Sequence, residues 1–125
     1  MKVLIVDDDP NQGRSLAIGL RLEGFEVITT LAAEAAMILS DRYEFDAAIV
    51  DLMLPGVNGI ELARQLRERQ PGTRVLLTSA YHLSEAQLRK VDCGIIGFIP
   101  KPFSLDELVS FLREKVELKK AANSG

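Results

Sequence analysis

Lys2-Val3-Leu4-Ile5-Val6-Asp7-Asp8-Asp9-Pro10 is the stretch that decides the fold. Val3 to Val6 is short, wholly apolar and rich in β-branched residues, as in a central strand buried on both faces. Polar residues follow at once, where such a strand would end. Asp9-Pro10-x-Gln12 then reads as a helix start. Asp9 is its N-cap, Pro10 its first helical residue and Gln12 a capping-box partner.

The same alternation runs to the end of the chain. Leu16, Leu20 and, less regularly, Leu22 give the first helix an apolar face, and Gly24 closes it. Glu26 to Thr29 is a less apolar strand suited to an edge, and Ala32 to Leu39 a helix of small residues. Ala47 to Val50 is a third strand ending in Asp51, followed by a Pro55-Gly56 turn. Asn58-x-x-Glu61 caps a third helix with Ile60, Ala63 and Leu66 inward and Arg64, Arg67, Glu68 and Arg69 outward. Past Pro71-Gly72 come a fourth strand, Val75 to Leu77, and a fourth helix capped by Ser84-x-x-Gln87. Ile95 to Ile99 is the fifth strand. Ser104-x-x-Glu107 caps a fifth helix with Leu105, Leu108, Val109, Leu112 and Val116 at helical spacing. Strands alternating with helices in this way predict a doubly wound parallel α/β sheet. We expect one domain over residues 1–120 and a polar tail or linker stub over 121–125.

The totals narrow the function. A chain of 125 residues holds one real core. Its net charge of −3 leaves no basic excess to grip a nucleic-acid backbone. Cys93 is the sole cysteine, so no internal disulfide forms, and a reducing cytoplasm is the expected location. No apolar stretch approaches a membrane span. The first strand starts at the N-terminus, so no signal peptide is expected there.

Four polar sets fall at strand ends: Asp7-Asp8, Asp51, Thr78-Ser79 and Lys101-Pro102. In a parallel sheet those ends converge on one edge. Any one of these residues alone would be a turn residue, a helix cap or a surface lysine. Together they make a site. Two unit charges about 4 Å apart repel by roughly 4 kcal/mol at an effective dielectric of about 20. Three gathered carboxylates therefore need a counter-charge. Oxygen-only ligands favour Mg²⁺ over zinc.

This arrangement resembles the receiver domain of bacterial two-component response regulators. The resemblance rests on the acidic pair in VDDD, the aspartate in VDLMLPGVNG, the hydroxyl in LLTSA and the lysine in KPF. It runs from Lys2 to about Leu118. It implies the flavodoxin-like, CheY-like order 2-1-3-4-5 with five helices. It implies Asp51 as phosphoryl acceptor from a phosphohistidine. Asp8 and Asp51 would be direct Mg²⁺ (or Mn²⁺) ligands, Asp7 one acting mainly through water, and the Met53 backbone carbonyl would complete the protein's share of the metal shell. Lys101 would pair with phosphoryl oxygens. The switch hydroxyl precedes an alanine in the family, which makes it Ser79, followed by Ala80. Phe98 matches the switch aromatic three residues before the lysine. The Lys101–Pro102 bond would be cis.

The resemblance also implies a coupled switch. Ser79 moves toward the phosphoryl group and Phe98 turns into the vacated space, which repacks the face of the fourth helix, fifth strand and fifth helix. Met53 and Tyr81 occupy positions that modulate dephosphorylation, and we expect a lifetime not among the shortest of the family. A sensor histidine kinase or histidine phosphotransfer protein would dock near Gln12, Arg14 and the Phe103 loop. A downstream target or an output domain would read the switched face, which could also form a homodimer. His82 reads as a solvent-facing loop residue, Cys93 as a small packed group, and Arg113, Lys115, Lys119 and Lys120 as a solvated helix face. A flavin carrier is excluded by the acidic loop after the first strand, which would repel a phosphate. An aspartyl phosphohydrolase is excluded because Met53 stands where its second acid belongs. The remaining alternative is a phosphorylation-independent interaction or dimerisation module.

Overall fold

A computed structural model describes residues 1–80 and 95–117. Five parallel strands form the sheet: β1 (Lys2–Val6), β2 (Glu26–Thr30), β3 (Ala47–Asp51), β4 (Arg74–Ser79) and β5 (Ile95–Pro100). Their order is β2-β1-β3-β4-β5, as expected. The described helices are α1 (Pro10–Leu22), α2 (Ala33–Arg42), α3 (Gly59–Arg69) and α4 (Leu105–Leu112). A π-helical turn, Arg113–Glu117, extends α4. The helix expected from Ser84, together with Tyr81, His82, Cys93, Leu118, Lys119, Lys120 and the 121–125 tail, lies outside the described residues.

Strand alternation divides the core into two layers. Leu4, Val6, Ala48, Val50, Val75 and Leu77 face one layer, which Leu62, Ala63 and Leu66 of α3 close. Val3, Ile5, Ala47, Ile49 and Leu76 face the other, closed by Ala17 and Leu20 of α1 and by Leu108, Val109 and Leu112 of α4. β1, β3 and most of β4 are buried along their length, which is why their sequences read as continuous apolar runs. β2 is an edge strand with the burial pattern of one.

Several local readings change. Leu22 is 84% exposed, so it is not part of the inward face of α1. Asp9 does cap α1, accepting from the amides of Asn11 and Gln12. The capping box is not completed, because Gln12 bonds elsewhere and the Asp9 amide donates to Asp7 Oδ1 at 2.9 Å. In α3, Asn58 accepts from the Ile60 amide. Glu61 instead takes bonds from Arg64 and Gln65 on the exposed surface. At α4 the expected cap holds, with Ser104 Oγ accepting from the Glu107 amide at 3.1 Å. Gly24 ends α1 with φ +95, in the left-handed region.

Candidate functional site

The alternation that builds the core also aims the site. Asp7 follows Val3 and Ile5 on the α1–α4 side of the sheet, and Asp51 follows Ala47 and Ile49 on that same side. Lys101 follows Ile99 there as well. The ladder does not stop at the last strand residue. The Asp7 amide donates to Thr30 O at 3.1 Å, the Leu52 amide to Thr78 O at 2.8 Å and the Lys101 amide to Ser79 O at 2.8 Å. Backbone hydrogen bonds thus hold the strand-end residues at the edge where their side chains meet.

Asp7 and Asp51 are buried, while Asp8 is exposed. One oxygen of each of the three lies within 4.8 Å of the others. The two buried carboxylates are held alike. Asp7 Oδ1 accepts from the Asp9 amide at 2.9 Å, and Asp51 Oδ1 accepts from the Met53 amide at 3.0 Å. Each turns its second oxygen to the same ammonium. Lys101 Nζ donates to Asp7 Oδ2 at 3.1 Å and to Asp51 Oδ2 at 2.9 Å. Its side chain is only 14% exposed. Burial pulls the Lys101 pKa down. The hydrogen bonds to Asp51 and then Asp7, with their charges, more than reverse this and hold it above the ordinary value.

Three carboxylates against one ammonium leave the cluster short of positive charge. The donors are all oxygens, and one of the acids is open to solvent. That set suits a hard divalent cation with open coordination positions. The exposed Met53 side chain stays clear of the core, while its amide fixes Asp51.

Ser79 ends β4, fully buried. Alternation places it on the same face as Val75 and Leu77. Phe98, partly buried, packs against that same layer. The pair therefore shares the face opposite to Asp51 and Lys101. The Lys101–Pro102 bond is cis, as the resemblance implies.

Two residues at the site make contacts that the sequence reading did not foresee. Gln12 is half-buried rather than exposed, with Oε1 accepting from Lys101 Nζ at 2.9 Å. Gly59, the first residue of α3, lies against the Asp51–Leu52 backbone so closely that a Cβ would stand 2.5 Å from Asp51 O and 2.6 Å from Leu52 Cα. The Asn58-Gly59 dipeptide was the available signal, since glycine permits such an approach.

Residues 3–113 match the family model of the response regulator receiver domain. The transcriptional regulatory protein TcrA of Mycobacterium tuberculosis is 34% identical over 113 residues, which are 90% of this chain and 45% of that protein. The chain spans about half the length, or less, of the curated relatives it matches. A CheY-like receiver domain protein from Methanospirillum hungatei JF-1 superposes with a TM-score of 0.89 at 26% identity, over 97% of each chain. TrrA of Thermotoga maritima, solved in complex with Mg²⁺–BeF, gives 0.79 at 28% identity, over 90% of this chain and 96% of that one. With the strand order, the acidic cluster and its lysine in place, this chain belongs to the response regulator receiver domain family of two-component systems.

Proposed function

We propose that the chain accepts a phosphoryl group on Asp51 from a phosphohistidine of a sensor kinase or phosphotransfer protein. The observation that carries this reading is the single ammonium shared by two buried carboxylates beside an exposed third. Asp51 attacks phosphorus in line. Its Oδ–P bond forms as the N–P bond of the donor breaks, and the electron pair leaves on the imidazole nitrogen. The transferring group carries spread negative charge, so positioning and neutralisation supply most of the catalysis.

Lys101 is already desolvated and charged at the point where that negative charge gathers. Asp8, Asp51 and the Met53 carbonyl would hold Mg²⁺ or Mn²⁺, with Asp7 acting mainly through water, and the ion would supply the rest of the neutralisation. The metal-bearing structure of TrrA supports this choice. Loss of the group follows the same geometry. A water oxygen attacks phosphorus, the P–O bond to Asp51 breaks, and inorganic phosphate leaves a free carboxylate.

Ser79 and Phe98 would carry the signal outward. Their shared face supports the pairing. Phe98 lacks a hydroxyl, so its inward state gains packing and no hydrogen bond. The relatives' greater length suggests that an attached output domain reads the result.

The test is intact mass after incubation with a small phosphodonor, with and without Mg²⁺, on wild type and Asp51→Asn. One Mg²⁺-dependent phosphoryl addition, absent from the variant, is expected. No addition to folded wild type would overturn the reading.

A further inference from the structure

We propose that Gln12 is a positioning residue for phosphoryl transfer, acting through Lys101. The proposal rests on the receiver reading above. An ammonium has three N–H donors and accepts nothing. Lys101 uses all three, on Asp7 Oδ2, Asp51 Oδ2 and Gln12 Oε1. Because the ammonium only donates, the oxygen end of the Gln12 carboxamide must face it. The three acceptors come from different elements: the end of β1, the end of β3 and the first turn of α1. Three fixed acceptors set the position of the head group, whereas two leave it a line about which to swing.

The third acceptor is itself anchored. Asp9 caps α1 through the Asn11 and Gln12 amides, and the Asp9 amide is tied to Asp7. Gln12 is therefore tied through Asp9 to Asp7, the carboxylate that also holds Lys101. Among the three acceptors it is the only neutral one. When Asp51 becomes an acyl phosphate, the carboxylate charge facing Lys101 is replaced by phosphoryl oxygens. Asp7 and Gln12 remain to keep the ammonium in place while it changes partner. Phosphoryl gain and phosphoryl loss both place negative charge before Lys101, so both depend on the same tether.

Gln12→Met keeps the length and removes the oxygen acceptor, and Gln12→Glu keeps an acceptor. The first measurement is the NMR signal of the Lys101 ammonium in ¹⁵N-lysine-labelled, unphosphorylated protein. We expect an ordered, slowly exchanging signal in wild type and Gln12→Glu, and a broadened or lost one in Gln12→Met. The second is the rate of phosphoryl gain from a small phosphodonor at saturating Mg²⁺, and of its later loss. In Gln12→Met both should fall together, on the order of tenfold, within the cost of ångström-scale misplacement. The melting temperature should stay unchanged, which a purely structural role does not predict alongside two slowed reactions. An unaltered Lys101 signal in Gln12→Met overturns the tether. Unaltered rates with a disturbed signal overturn the positioning role. Failure of wild type itself to take a phosphoryl group overturns the receiver reading and this role with it, and is distinguished by the wild-type arm alone.

Discussion

Gly59 has no side chain because the Asp51 carbonyl stands where one would go. A Cβ there would lie 2.5 Å from that oxygen and 2.6 Å from Leu52 Cα, and both contacts are backbone. The Gly59 amide also donates to Leu52 O at 2.9 Å. The start of α3 is thereby seated on the peptide that follows Asp51. Gly59→Ala should cost about 1–3 kcal/mol, the range of overpacking in a tight core. Urea unfolding reads it. A change below about 0.5 kcal/mol, the ordinary surface value, would mean that the backbone yields freely.

Gly97 offers the contrast. A Cβ there would meet Phe111 Cζ at 2.5 Å, which is a side-chain ring and not backbone. Gly97→Ala should therefore be relieved by Phe111→Leu in a double-mutant cycle, with a coupling energy of about 0.5–3 kcal/mol. Additive effects would show that the ring is not the obstacle.

Asp8→Asn should raise stability in the absence of metal by on the order of 1 kcal/mol, because it removes one of three clustered negative charges from a partly screened position. It should also abolish stabilisation by added Mg²⁺. The check is a pair of melting curves with and without the ion. Curves superimposable on wild type in both conditions would remove Asp8 from the metal site.

Lys101→Met should destabilise the protein by about 3 kcal/mol, since it strands Asp7 and Asp51 without their counter-charge. The pH dependence has a definite sign. The folded pKa of Lys101 is raised, so its contribution is complete below the unfolded value of about 10.4. It is then lost as pH rises through the folded value. Wild type should lose stability in that alkaline window faster than Lys101→Met. Equal slopes would contradict it.

Much of this was legible in the sequence, and the reason is burial. β1, β3 and β4 are covered on both faces, so their apolar runs and the polar residues ending them stand out from the rest of the chain. Asp7, Asp8, Asp51 and Lys101 could be gathered from strand ends alone. The partners of amide and acidic side chains could not. Gln12 and Glu61 each fit a capping box in spacing, yet Lys101 captures one and Arg64 with Gln65 the other. Those outcomes depend on tertiary neighbours that a local pattern does not contain. Leu22 misled for a simpler reason: two residues beyond the buried Leu20, at 3.6 residues per turn, it stands on the opposite face of α1.

The bond from the Lys101 amide to Ser79 O gives the two ends of the site a common mechanical origin. On the proposed reading, a shift of the Ser79 peptide toward a phosphoryl group on Asp51 would either drag the Lys101 backbone with it or break that link. In the proposed switch, movement of Ser79 and neutralisation by Lys101 would be geared to each other at the main chain, so a substitution that stiffens one should register as a timing defect in the other.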